Sequence, residues 1–166
     1  AAMTDFLGIT DGETERVKEQ NELYQDLAKS KNELTKAQRE ATKLNASQNA
    51  EVRTLLDQAA ATTNRKEKLE LLNQAKEIQQ QITERNIALA EENLRIIQTE
   101  ASLTANDATM NDKLAQAEAA VAQARADGAA KTKEMSAQIA ALTKGTDTDT
   151  KKFKKEKEQL NELLKT

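Results

Sequence analysis

The chain has no cysteine, histidine, proline or tryptophan, and its 166 residues include only four glycines, two phenylalanines and one tyrosine. Each absence removes a class of chemistry. Without cysteine there is no disulfide framework or thiolate nucleophile, and the residues carry no sign of redox compartment or location. Without histidine the commonest general base is missing, and so are imidazole metal sites, including helical di-metal centres built on Glu-x-x-His. Neither G-x-x-x-x-G-K-[ST] nor G-x-G-x-x-G occurs, and four scattered glycines cannot form a phosphate loop. The expectation is a protein that is not an enzyme and uses no metal or cofactor. No apolar run approaches the ~18 residues of a membrane span, and no basic segment followed by an apolar run marks a secretory leader.

What remains is helix-forming material. Alanine, leucine, glutamate, lysine and arginine supply 90 of the 166 residues, a composition typical of long helices and coiled coils. The absence of proline removes the strongest helix breaker, and the β-branched and aromatic residues that suit strands are scarce. Leucine, isoleucine, valine, methionine and phenylalanine together number only 33, which is thin for a compact core. The expected fold is all-α, an elongated antiparallel helical bundle of coiled-coil-like long helices.

Periodicity sets the expected organisation. Residues 1–9 are expected to form a non-helical apolar segment. Thr10 and Glu13 have the spacing of a capping box that starts the first helix. Leu27, Leu34 and Ala41 then repeat every seven residues, with Leu23, Ser30, Ala37 and Leu44 at the second seam position. The long-helix body is expected over 10–145, with breaks near 44–50, 61–64 and 102–109. Asn64 with Glu67, and Thr109 with Asp112, have the spacing of helix starts. Between those breaks Leu72, Ile82, Leu89 and Ile96 mark one side of a wide apolar stripe, which predicts two packing neighbours. After them Met110, Leu114, Ala117, Val121, Ala124, Gly128, Lys131, Met135, Gln138 and Leu142 follow a strict 4-3 count. Gly145 reads as a helix stop. Residues 146–166 read as a turn followed by a short helix carrying Phe153, Leu160, Leu163 and Leu164.

Few motifs compete with this structural reading. Asp147, Asp149 and Glu158 match the ends of a calcium-binding loop, but Lys151 and Lys152 occupy a ligand position and the required glycine position. Lys151, Lys152, Phe153, Lys154 and Lys155 form the most basic run, a candidate contact for an anionic surface. Asp147, Asp149, Glu156 and Glu158 flank it and offset its field. With a net charge of −3 and almost no aromatic residues to stack on bases, no nucleic acid partner is expected. Asn45-Ala46-Ser47 is a glycosylation sequon that matters only in a secreted eukaryotic protein.

Met3, Phe6, Leu7 and Ile9 lie ahead of the first helix, where Gly8 interrupts any helical period, and are expected to anchor a partner. The overall expectation is a structural or assembly protein that scaffolds or bridges a larger assembly, such as a virion or a secretion apparatus, as a homo-oligomer or a subunit. Two alternatives are a helical protein that binds a lipid or membrane surface, and an adaptor that captures a partner helix.

Overall fold

Short polar side chains fix the helix starts. The computed structural model describes residues 11–104 and 107–165, and the side chains of residues 14–104, 107–144 and 154–165. Its described residues form three helices, α1 (Asp11–Ala61), α2 (Arg65–Leu103) and α3 (Ala108–Lys165), and none lies in a strand. The fold is all-α.

The start of α2 is capped by Asn64, whose Oδ1 accepts from the backbone N–H groups of Lys66 at 3.1 Å and Glu67 at 3.3 Å. The Thr62 hydroxyl donates to Glu67 Oε2 at 3.2 Å and locks the same turn. At the start of α3 the cap is Asp107, whose Oδ1 accepts from the Met110 N–H at 2.8 Å. The pair Thr109 and Asp112 does not start this helix; both lie inside its first turns. The capping box at Thr10 and Glu13 lies outside the described side chains.

Two of the expected interruptions are absent. Helix α1 runs through 44–50, and α3 runs through Gly145 and the alternating Thr and Asp residues that follow, to Lys165. Asn, Ser, Thr and Asp cost only tenths of a kcal/mol each in a helix, and glycine about 1 kcal/mol, whereas proline would cost about 3 kcal/mol. Internal threonines satisfy their hydroxyls by bonding back to the carbonyl four residues earlier, as Thr35, Thr42, Thr54 and Thr143 do.

The chain divides into two packing units. Unit 1 joins the residues up to Lys43 with Arg85–Ala124. Its core cluster is Leu27, Leu34 and Ile96, flanked by Leu89 and Leu103. The Tyr24 hydroxyl donates to the Leu103 carbonyl at 3.0 Å, and Lys31 pairs with Glu100 at 3.0 Å. Numbers rising along α1 therefore meet numbers falling along α2, so the two segments run antiparallel. Unit 2 joins Leu44–Glu84 with the residues from Arg125 onward. Its core cluster is Val52, Ala75, Ile82 and Met135, flanked by Leu55, Leu56 and Ile78. Gln48 Nε2 donates to Gln81 Oε1 at 3.0 Å, tying α1 to α2 within this unit.

The buried positions reveal a step that a strict 4-3 count hides. In unit 1, α1 turns Leu27, Ser30, Leu34, Ala37 and Ala41 inward. In unit 2 the inward series of the same helix is Asn45, Gln48, Val52, Leu55 and Ala59. A four-residue step from Ala41 to Asn45 replaces the three-residue step that would have reached Leu44, which is 45% exposed. Helix α3 does the same. Its inward series runs Met110, Leu114, Ala117, Val121, Ala124, Gly128 and then Thr132, Met135, Ile139 and Leu142. Lys131 and Gln138, expected in the seam, are exposed. Such an inserted step, a stutter, locally unwinds the heptad phase. Helix α2 keeps one seven-residue series throughout, at Ala75, Ile82, Leu89, Ile96 and Leu103.

Candidate functional site

Most of the expected seam residues fall on the inward faces of their units, while Leu23, Leu44, Lys131 and Gln138 are exposed. Leu27, Leu34, Ile82, Ile96, Val121 and Met135 are buried, and Leu89, Leu114 and Leu142 are half-buried. Leu44 is the correction: the stutter rotates it out to solvent and places Asn45 inward instead. Asn45 is thus a half-buried position within a helix, unlike the exposed loops that accept glycans.

Unit 2 contains a close approach of two helices at a glycine. Gly128 of α3 is buried against Thr83 of α2. A Cβ added at Gly128 would overlap Thr83 Cγ2 and come within 3.0 Å of its Oγ1 and 3.1 Å of its Cβ. Any larger residue at 128 would require the Thr83 side chain to move. Beside it lies Gln79, the one buried polar side chain among the described residues, whose Nε2 donates to Thr83 Oγ1 at 3.3 Å. Two open clefts lie in the same unit. One, of about 440 Å³, is lined by Leu56, Ala59, Leu72 and Leu142 with Lys68 at its edge. The other, of about 470 Å³, is more polar and brings Arg53, Asp57, Gln79 and Lys131 near Val52 and Met135.

Electrostatics at these surfaces are mild. Hydrogen bonds from Arg95 hold the Glu92 carboxyl below the usual carboxylate range, and the same pairing holds the Arg95 guanidinium above its usual value. This is an exposed pair of residues three apart on α2, with Arg95 Nε donating to Glu92 Oε2 at 3.0 Å. Among the described residues no cluster of three or more carboxylates could hold a metal ion, and no helix is long and apolar enough to cross a membrane.

The remaining candidate residues lie at or beyond the helix ends. Met3, Phe6, Leu7 and Ile9 lie outside the described residues. Lys151, Lys152 and Phe153 fall within α3 but outside the described side chains, while Lys154 and Lys155 are exposed. Charge and period alone did not single out the large apolar side chains left in solvent on the described helices. Val17, Leu23 and Tyr24 on α1 are 56%, 47% and 43% exposed, and Leu160, Leu163 and Leu164 on α3 are 59%, 72% and 77% exposed. An available signal was that the α2 stripe is too short to cover all of α1 and α3. Comparison of the chain with protein-family models, with curated proteins and with solved structures finds no match.

Proposed function

We propose that the chain is a non-enzymatic structural protein whose helical bundle bridges components of a larger assembly, with Met3, Phe6, Leu7 and Ile9 as a docking anchor. One observation carries this reading. The described cores are thin and rich in alanine, while Leu23 near the start of α1 and Leu160, Leu163 and Leu164 near the end of α3 stay 47–77% exposed. Scattered exposed leucines are ordinary on a protein surface, but here they recur at helical spacing on helix ends, as residues covered in an assembly do. The histidine- and cysteine-free composition supports a role in contact over one in chemistry.

The test is size-exclusion chromatography with light scattering on the intact chain and on a Phe6→Ser, Leu7→Ser variant. The expected result is a mass above that of one chain, lowered in the variant while helicity and melting temperature stay unchanged. A compact monomer contradicts assembly, and a variant that melts earlier shows that Phe6 and Leu7 plug the bundle instead of anchoring a partner. A second reading, capture of a partner helix, is favoured by the apolar cleft lined by Leu56, Ala59, Leu72 and Leu142. Its distinguishing mark is a defined complex with one helical peptide, formed by a chain that does not self-associate.

A further inference from the structure

In α1 every described side chain from Thr14 to Asp26 is exposed, and burial begins at Leu27. Continued backwards by its own spacing, the buried stripe passes through Leu23 and Gln20, with Val17 beside it. In α3 every described side chain from Lys154 to Lys165 is exposed, and Leu160 and Leu164 stand one turn apart on the same side. A helix end of about a dozen residues with no buried side chain is marginal in water, so both ends gain from being covered.

The charges of the two ends are opposite. Asp11–Asp26 holds six acidic and two basic residues, net −4, whereas Lys151–Lys165 holds six basic and three acidic residues, net +3. These signs also suit the dipole at each helix's own terminus, but the dipole gives no reason for Val17, Leu23, Leu160 and Leu164 to face water. Two stretches of similar length and opposite charge on one chain, each with large apolar side chains in solvent, form a complementary pair. Pairing either end with its own kind would set like charges side by side.

We infer that the occupant is a second copy of this chain: the first turns of α1 in one copy pack against the last turns of α3 in the next. The two surfaces differ, so the contact is heterologous, and repeating it yields closed rings or open chains of copies. Because charge contributes to the contact, salt weakens it. The inference rests on the assembly reading but fails separately from it, since it depends on residues other than Phe6 and Leu7.

The test uses full-length chains in sedimentation equilibrium. One variant carries Val17→Gln and Leu23→Gln, the other Leu160→Gln and Leu164→Gln, and glutamine keeps helix propensity high. The wild type is expected to self-associate, more weakly as salt rises, and each variant alone to run at the single-chain mass of 18.3 kDa. An equimolar mixture of the two variants is expected to form a species of twice that mass and nothing larger, because each variant keeps one intact surface. A wild type that stays monomeric up to ~1 mM overturns the inference. So does a variant that associates as well as the wild type alone, or a mixture that remains monomeric. An oligomer lost in the Phe6→Ser, Leu7→Ser chain but unaffected by the glutamine variants leaves the docking anchor standing and removes the end-to-end contact.

Discussion

The core cluster of unit 1 is Leu27, Leu34 and Ile96, with Ala41 and Ala117 also buried, while that of unit 2 is Val52, Ala75, Ile82 and Met135, with Leu72 and Gly128 also buried. Both units bury small residues among large ones, and among the described residues unit 2 adds a glycine contact, Gly128 against Thr83. Large side chains bury more area each, roughly 1.5–3 kcal/mol per residue. Small residues bury less but let backbones approach until contacts become steric, as between Gly128 and Thr83. Unit 2 also admits a buried amide, Gln79, which has no buried polar counterpart among the described side chains of unit 1. One consequence is that unit 1 should be sensitive to lost volume, and unit 2 to both lost and added volume.

The largest effects are expected from core truncation. Ile96→Ala in unit 1 and Ile82→Ala in unit 2 are each 2% exposed before substitution, and each should cost about 2–5 kcal/mol in urea unfolding. Amide hydrogen exchange sharpens the comparison, because each substitution should first lower protection in its own unit. Equal loss of protection in both units after either change would break the division. Next in size is Gly128→Ala. Overpacking against Thr83 costs about 1–3 kcal/mol, against a gain in helix propensity of at most about 1 kcal/mol, so the net expectation is loss of stability. Adding Thr83→Ser removes the Cγ2 that the new methyl would overlap, keeps the Oγ1 to which Gln79 donates, and should restore most of it. A stabilising Gly128→Ala single variant would show that the approach in unit 2 is not tight.

Smallest is the pH-dependent effect of the Glu92–Arg95 pair on α2. Arg95 lowers the folded-state pKa of Glu92, so its contribution is fully present above the ordinary glutamate range and is lost as pH falls through the lowered value. Exposure to solvent keeps that contribution slight. The melting temperatures of wild type and Glu92→Gln should differ little at neutral pH and converge on acidification. Divergence on acidification would contradict the sign.

Much of the fold was legible because the chain is locally consistent. Without proline, and with alanine, leucine, glutamate and lysine throughout, helix is the outcome at almost every window. Asn64 reads as a cap because its short acceptor sits three residues before Glu67, and its Oδ1 does accept from the backbone there. Asp107 was missed because Thr109 and Asp112 offered the same spacing two residues later. The stutters were missed for two different reasons. In α3 the cue was present, since apolar Ile139 lies beside polar Gln138 and marks the new phase. In α1 hydrophobicity pointed the wrong way, because Leu44 is exposed and Asn45 turns inward. Only Val52 and Ala59, seven apart and out of phase with Ala41, betray the step. The candidate docking surfaces were the least legible. Whether a leucine at the right spacing is core or free surface depends on where neighbouring helices end, which no single stretch encodes.

The central structural feature is that α1 changes inward phase between Ala41 and Asn45, at the boundary of the two units, and α3 between Gly128 and Thr132, inside unit 2. The chain lacks cysteine, so single cysteines introduced at 44, 45, 131 and 132 report accessibility without background. Thiol labelling of the folded protein should be fast for Leu44→Cys and Lys131→Cys and slower for Asn45→Cys and Thr132→Cys. Faster labelling at 45 and 132 than at 44 and 131 would contradict the phase change and restore an uninterrupted 4-3 seam.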